Sequence, residues 1–131
     1  MIIDKIALVH VRERKILVAR SKGKSKFYIP GGKREKGESD IETLLREIEE
    51  ELSVNITQES IRYYNSFTAQ SDGHEVGVLV KMTCYFADFI GELNANSEIE
   101  EIDWFKFSDR IKVSAVDKLI YKDLYDRNLI K

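Results

Sequence analysis

The chain has 131 residues, a formal net charge of -2, 34% charged and 43% apolar residues, and a single cysteine. That length suits one domain, residues 1–131, with a real core, and the balance argues against a general nucleic-acid binder, a membrane-surface protein or a disulfide scaffold. No apolar run approaches the roughly 20 residues a bilayer needs, and Met1–His10 lacks the basic start of a secretory leader, so a cytoplasmic location with no membrane and no nucleic-acid partner is expected.

Residues 5–11 (Lys-Ile-Ala-Leu-Val-His-Val) read as a buried strand, and residues 15–20 as its partner across a turn at Arg12–Arg14. Residues 21–26 form a polar loop. Its Gly23-Lys24-Ser25 looks like the end of a phosphate loop, but the first glycine of that motif would fall at Val18, so it is set aside. Phe27–Ile29 is a short strand ended by Pro30-Gly31-Gly32. Phe27 and Tyr28 either pack in the core or stack on a ligand ring.

A helix follows. Ser39 and Glu42 make an S-x-x-E capping box. Ile41, Leu44, Leu45, Ile48 and Leu52 recur at helical spacing and give one apolar face. Glu47, Glu50 and Glu51 stand at i, i+3 and i+4, on a face read as turned away from the core. Like charges at that spacing repel unless a cation sits among them. A divalent metal bound to phosphate oxygens would fill that role. Ser53 stands where a helix usually ends in a left-handed glycine, at a cost of about 1 kcal/mol.

Residues 61–70 and 76–88 read as strands around a turn at Ser71–His74, and residues 101–107 as another. Ser114 to Leu124 is a second helix, with Val116, Leu119, Ile120 and Leu124 inward. The tail after Asp126 is docked or frayed. Cys84 lies in an apolar run and packs. His10 and His74 have no metal-site partners in sequence. Trp104, Phe105 and Phe107 alternate, so about half face the core. Strands and helices mix without strict alternation, which suggests an α/β class fold, an α/β/α sandwich with a central mixed sheet.

Residues 32–54 resemble the signature of the Nudix hydrolases, G-x5-E-x7-R-E-U-x-E-E-x-G-U, where U is bulky and apolar. Gly32, Glu38, Arg46, Glu47, Ile48, Glu50, Glu51 and Val54 match in register, and Ser53 replaces the late glycine. The resemblance implies metal-dependent hydrolysis of nucleoside diphosphate-X compounds with Mg²⁺, or Mn²⁺ in its place. It implies that Glu50 and Glu51 are the main metal ligands, joined by the Gly31 carbonyl. Glu47 is a ligand or the base, Glu38 supports the site, and Arg46 orients the glutamates. Many members take a further glutamate from a loop before the last strand. Glu98, Glu100 or Glu101 could supply it, and Glu98 is favoured. Lys33, inside the turn, is a phosphate contact.

Marks outside the box narrow the substrate. Where ADP-ribose hydrolases keep a proline, this chain has Thr68-Ala69. Where the diadenosine polyphosphate group keeps a tyrosine, it has Gln70 and Ser71. The NADH-type proline segment and the coenzyme A motif are absent. The small MutT-like class remains, which acts mostly on (deoxy)nucleoside triphosphates, including oxidised ones. Other readings are hydrolysis of ADP-ribose or other nucleotide sugars and dinucleotides, a silent nucleotide sensor, and, as a minor option, action on RNA ends. The chain would act as a monomer or homodimer.

Overall fold

A computed structural model describes all residues, Met1–Lys131. The strands are β1 (Ile2–Val9), β2 (Val11–Arg12), β3 (Lys15–Ser21), β4 (Gly31–Lys33), β5 (Asn55–Ile56), β6 (Arg62–Gln70), β7 (Leu79–Phe86), β8 (Phe89–Ile90) and β9 (Ile99–Phe105). The helices are α1 (Asp40–Leu52) and α2 (Ala115–Asp126).

Four strands form a mixed sheet in the order β4-β1-β7-β6. β1 runs parallel to β7, and the other two pairs are antiparallel. A second sheet has the order β2-β3-β9, and β5 pairs with β8. β1 and β3 are buried on both faces. Ile3, Ala7, Val9, Ile16 and Val18 pack with α2, while Ile6, Leu8, Leu17 and Ala19 pack with α1. Strands sandwiched between helices lose polar–apolar alternation, which is why both read as continuous apolar runs. The α/β/α sandwich with a mixed sheet is therefore the observed architecture, and no helix is long and apolar enough to cross a membrane.

The sheet departs from the local reading of the strands and of the Gly31-Gly32 turn. β1 does not pair with β3; only the tip does, with Val11 opposite Ile16 and Arg12 opposite Lys15 across Glu13-Arg14, both at positive φ. β1 itself is claimed by β4 and β7, a long-range choice that local spacing does not carry. Gly31-Gly32 is not simply a turn. It belongs to β4, paired with Ala7 and Ile6 of β1. At Gly31 (φ 149°) a Cβ would stand 1.9 Å from the Ile6 carbonyl oxygen, so only glycine brings the box against the sheet.

The first helix forms as its sequence dictates. Ser39 Oγ accepts from Glu42 N–H, and Glu42 returns a bond to Ser39 N–H. Ser53 ends it at φ 62°, ψ 28°, its N–H donating to Glu49 O. In α2, Leu119 is 46% exposed rather than inward. Tyr121 takes its place on the buried stripe with Val116, Ile120 and Leu124. The tail is docked: Ile130 is buried, and the Lys131 carbonyl accepts from Phe107 N–H at 2.7 Å.

Candidate active site

A cleft of about 620 Å³ opens between β1, β4, α1 and the start of α2, within the range of small-molecule sites. Its walls include Gly31, Gly32, Lys33, Glu47, Glu51 and Glu98 at one end. Ile3, Phe27, Val80, Met82 and Val116 line the rest, together with Asp72, His74 and Asp117. One end is acidic, and the rest of the wall mixes apolar with charged groups.

The glutamate face of α1 is not turned away from the core, as the spacing had suggested. Glu51 is 7% exposed. It stands three residues after Ile48 and seven after Leu44, at the margin of the apolar stripe, and α1 packs that margin against β4. Gly31 N–H donates to Glu51 Oε1 at 3.1 Å. Burial pushes the Glu51 carboxyl up to about 8, and the negative charges of Glu47 and Glu98 add to this. Burial also raises Glu47, against the pull of Arg46. Glu50 is exposed at the rim and does not line the cleft.

Arg46 organises the acidic end from behind. Its Nε and Nη2 donate to the two oxygens of Glu38 at 2.7 and 2.8 Å. Its Nη1 donates to Glu47 Oε1 at 2.9 Å and reaches Glu50 at 3.4 Å, and its Nη2 reaches the Lys33 carbonyl at 3.1 Å. A planar guanidinium with five donors can hold such a set. The bonds from Arg46 hold the Glu38 carboxyl down at about 2. Arg46 and Glu38 thus lie behind the cleft without lining it.

Glu98 reaches the cleft from the segment before β9. Asn94 and Asn96 N–H groups donate to the carbonyls of Leu52 and Glu51, and the Glu98 carbonyl accepts from Lys22 N–H at 2.8 Å. Ser97 sits at φ 56°, a conformation uncommon outside glycine, and turns the chain just before Glu98. Its two rivals are engaged elsewhere: Glu100 and Glu101 both pair with Arg20.

The donor set at the acidic end is all oxygen, the type hard divalent cations take. Glu51 is a buried carboxyl with no cation paired to it, which a metal would relieve. Gly32, lacking a Cβ, leaves room for the Glu47 carboxylate. The residues therefore fit a divalent ion in kind. As they stand, no three acidic side chains converge closely enough to form a metal-binding cluster, because Arg46 draws Glu47 and Glu50 to itself.

Two cleft residues escape sequence reading. Asp117 is 1% exposed, accepts Ile29 N–H at 3.3 Å through Oδ2, and has no partner for Oδ1. Burial pushes it up to about 7. Lys5 is half-buried in β1 and also lines the cleft. The available signal was a charge on an apolar stripe in each case. Tyr28 donates to or accepts from Ser21 Oγ at 2.8 Å, and its ring lines the cleft. His10 is structural, bonded through Nδ1 to the Ala87 carbonyl at 2.8 Å. Cys84 is buried, its thiol pushed up to about 12.

The NUDIX domain model matches residues 3–124. No curated protein matches the chain in sequence. A MutT Nudix hydrolase from Burkholderia pseudomallei is 22% identical, with TM-score 0.77 over 93% of this chain and 97% of that one. A MutT protein from Bacillus halodurans is 24% identical, with TM-score 0.71 over 91% and 79%. A UDP-X diphosphatase is 21% identical, with TM-score 0.71 over 98% and 61%. At these identities the structures share the fold. The family model covers nearly the whole sequence, so the chain belongs to the Nudix family, as an enzyme of its pyrophosphohydrolase class.

Proposed function

We propose that the chain is a divalent-metal-dependent hydrolase of nucleoside diphosphate-X compounds, with (deoxy)nucleoside triphosphates, including oxidised ones, as its main substrates. One observation carries the reading: Glu47, Glu51, Glu98 and Lys33 line the same cleft as the apolar side chains of Ile3, Phe27, Val80 and Met82. A phosphate chain suits the charged groups and a flat base the apolar ones.

Glu51, Glu47 and Glu50, with the Gly31 carbonyl, would hold Mg²⁺ or Mn²⁺. When bound, such an ion neutralises phosphate charge and makes an adjacent water more acidic. Lys33 orients the phosphate chain. A carboxylate oxygen of Glu47 or Glu98 takes the proton from the attacking water. The water oxygen bonds to phosphorus, the anhydride bond breaks, and a triphosphate yields monophosphate and pyrophosphate. Arg46 and Glu38 hold Glu47 at its post.

The test is a hydrolysis panel with Mg²⁺. It contains canonical and oxidised triphosphates, ADP-ribose, a UDP-sugar, NADH and diadenosine polyphosphates, with products separated by chromatography. Monophosphate plus pyrophosphate from a triphosphate supports the reading. Cleavage of ADP-ribose or the UDP-sugar alone overturns the substrate assignment and keeps the reaction class. Nucleotide binding without any product overturns catalysis in favour of a sensor.

A further inference from the structure

Lys5 and Lys33 are directly opposed in the β1–β4 ladder. Opposed residues in an antiparallel pair share a face, with Cβ atoms about 4.5–5.5 Å apart, and like charges there destabilise the sheet. Both lysines line the cleft. Neither ammonium forms an ion pair or a hydrogen bond with Glu51, Glu98 or Asp117, other carboxyls of the cleft. Glu47 and Glu50 pair with Arg46, Asp4 pairs with Arg34, and Glu51 accepts Gly31 N–H.

The placement of Lys5 is unusual. It sits in mid-strand between Ile3 and Ala7, which are buried on the same face. Ordering a lysine there costs side-chain entropy and partial desolvation. Its ammonium makes no hydrogen bond or ion pair within the protein. Glu51 and Asp117 line the same cleft, and the charge of Lys5 favours the ionised form of each. An anion lying between Lys5 and Lys33 would remove their repulsion and give each ammonium a charge-assisted bond.

We propose that Lys5 is a substrate-binding residue that acts with Lys33 to grip an oligophosphate, so that the site selects ligands by the number of phosphates they carry. This rests on the nucleotide-hydrolase reading above and sharpens it. Triphosphates gain from the second lysine, while a diphosphate capped by a neutral sugar gains less.

Calorimetric titration with inorganic tripolyphosphate and orthophosphate, with and without Mg²⁺, tests this on the folded protein. The wild type binds tripolyphosphate in preference. Lys5→Met weakens tripolyphosphate binding by about tenfold or more and barely changes orthophosphate binding. Lys5→Arg retains most of the preference, which guards against a folding defect in the Met variant. Unchanged tripolyphosphate binding in folded Lys5→Met overturns the inference, as does a wild type that does not distinguish the two phosphates. Tripolyphosphate binding through Lys5, with no nucleotide bound or cleaved, keeps the inference and overturns the nucleotide reading. Nucleotide turnover with an unaltered KM in Lys5→Met does the reverse.

Discussion

The Glu47 carboxylate lies over the backbone of Gly32, so close that a Cβ there would stand 2.5 Å from Glu47 Cδ. The atom in the way is the end of a flexible side chain, so Gly32→Ala folds and displaces the carboxylate. Stability should change by less than about 1 kcal/mol. Turnover should fall about 10²-fold, because a displacement near 1 Å costs that much at a reacting centre. Gly31→Ala meets backbone instead and should cost about 3 kcal/mol. Thermal melts and kcat for the two variants separate the roles of the adjacent glycines.

Arg46→Lys tests the organising role of the guanidinium. A single ammonium cannot reach Glu38, Glu47, Glu50 and the Lys33 carbonyl together. The glutamates would then repel without a common partner. A fall in kcat of about tenfold or more is expected, with KM changing less. Equal turnover in wild type and variant would show that Arg46 is only a surface ion-pair partner.

Much of this was legible in advance because it is local. The capping box at Ser39 and Glu42, the left-handed stop at Ser53 and the apolar stripe of α1 follow from spacing within one helix. The favoured loop glutamate, Glu98, lines the cleft, while Glu100 and Glu101 pair with Arg20. What escaped was long-range. Nothing in residues 1–20 says that β1 will take β7 and β4 as partners. The burial of Glu51 depends on β4 folding back under α1. Asp117 and Lys5 gain their meaning only when α2 and β1 meet across the cleft.

The metal-free protein should lose stability as pH rises. The Glu51 carboxyl is pushed up to about 8 and Asp117 to about 7, both chiefly by burial, from ordinary values of 4.5 and 3.8. Between those limits the unfolded chain has released protons that the folded chain still holds. The unfolded state binds fewer protons, so stability is highest near pH 4 and declines towards pH 8. Urea melts in EDTA across this range should show the slope. Glu51→Gln and Asp117→Asn should each flatten part of it. Mg²⁺ should stabilise more at pH 8 than at pH 6, since its binding displaces the Glu51 proton.

Ser53→Gly isolates the departure from the box pattern. Ser53 holds φ 62°, a conformation glycine adopts without a Cβ penalty. The variant should gain about 1 kcal/mol, or roughly 4 °C in melting temperature. Turnover should not change, because Ser53 caps the helix and does not line the cleft. A change in kcat would assign it a part in catalysis.

Glu51 is the buried carboxylate on which the metal-dependent account turns. The most direct measurement is triphosphate hydrolysis with Mg²⁺ by the wild type and by Glu51→Gln, with melting curves on both. Monophosphate and pyrophosphate are expected from the wild type, and turnover lower by about 10³-fold in a variant that melts at least as high. Wild-type turnover in a folded Glu51→Gln protein would remove Glu51 from the metal site and from the reaction.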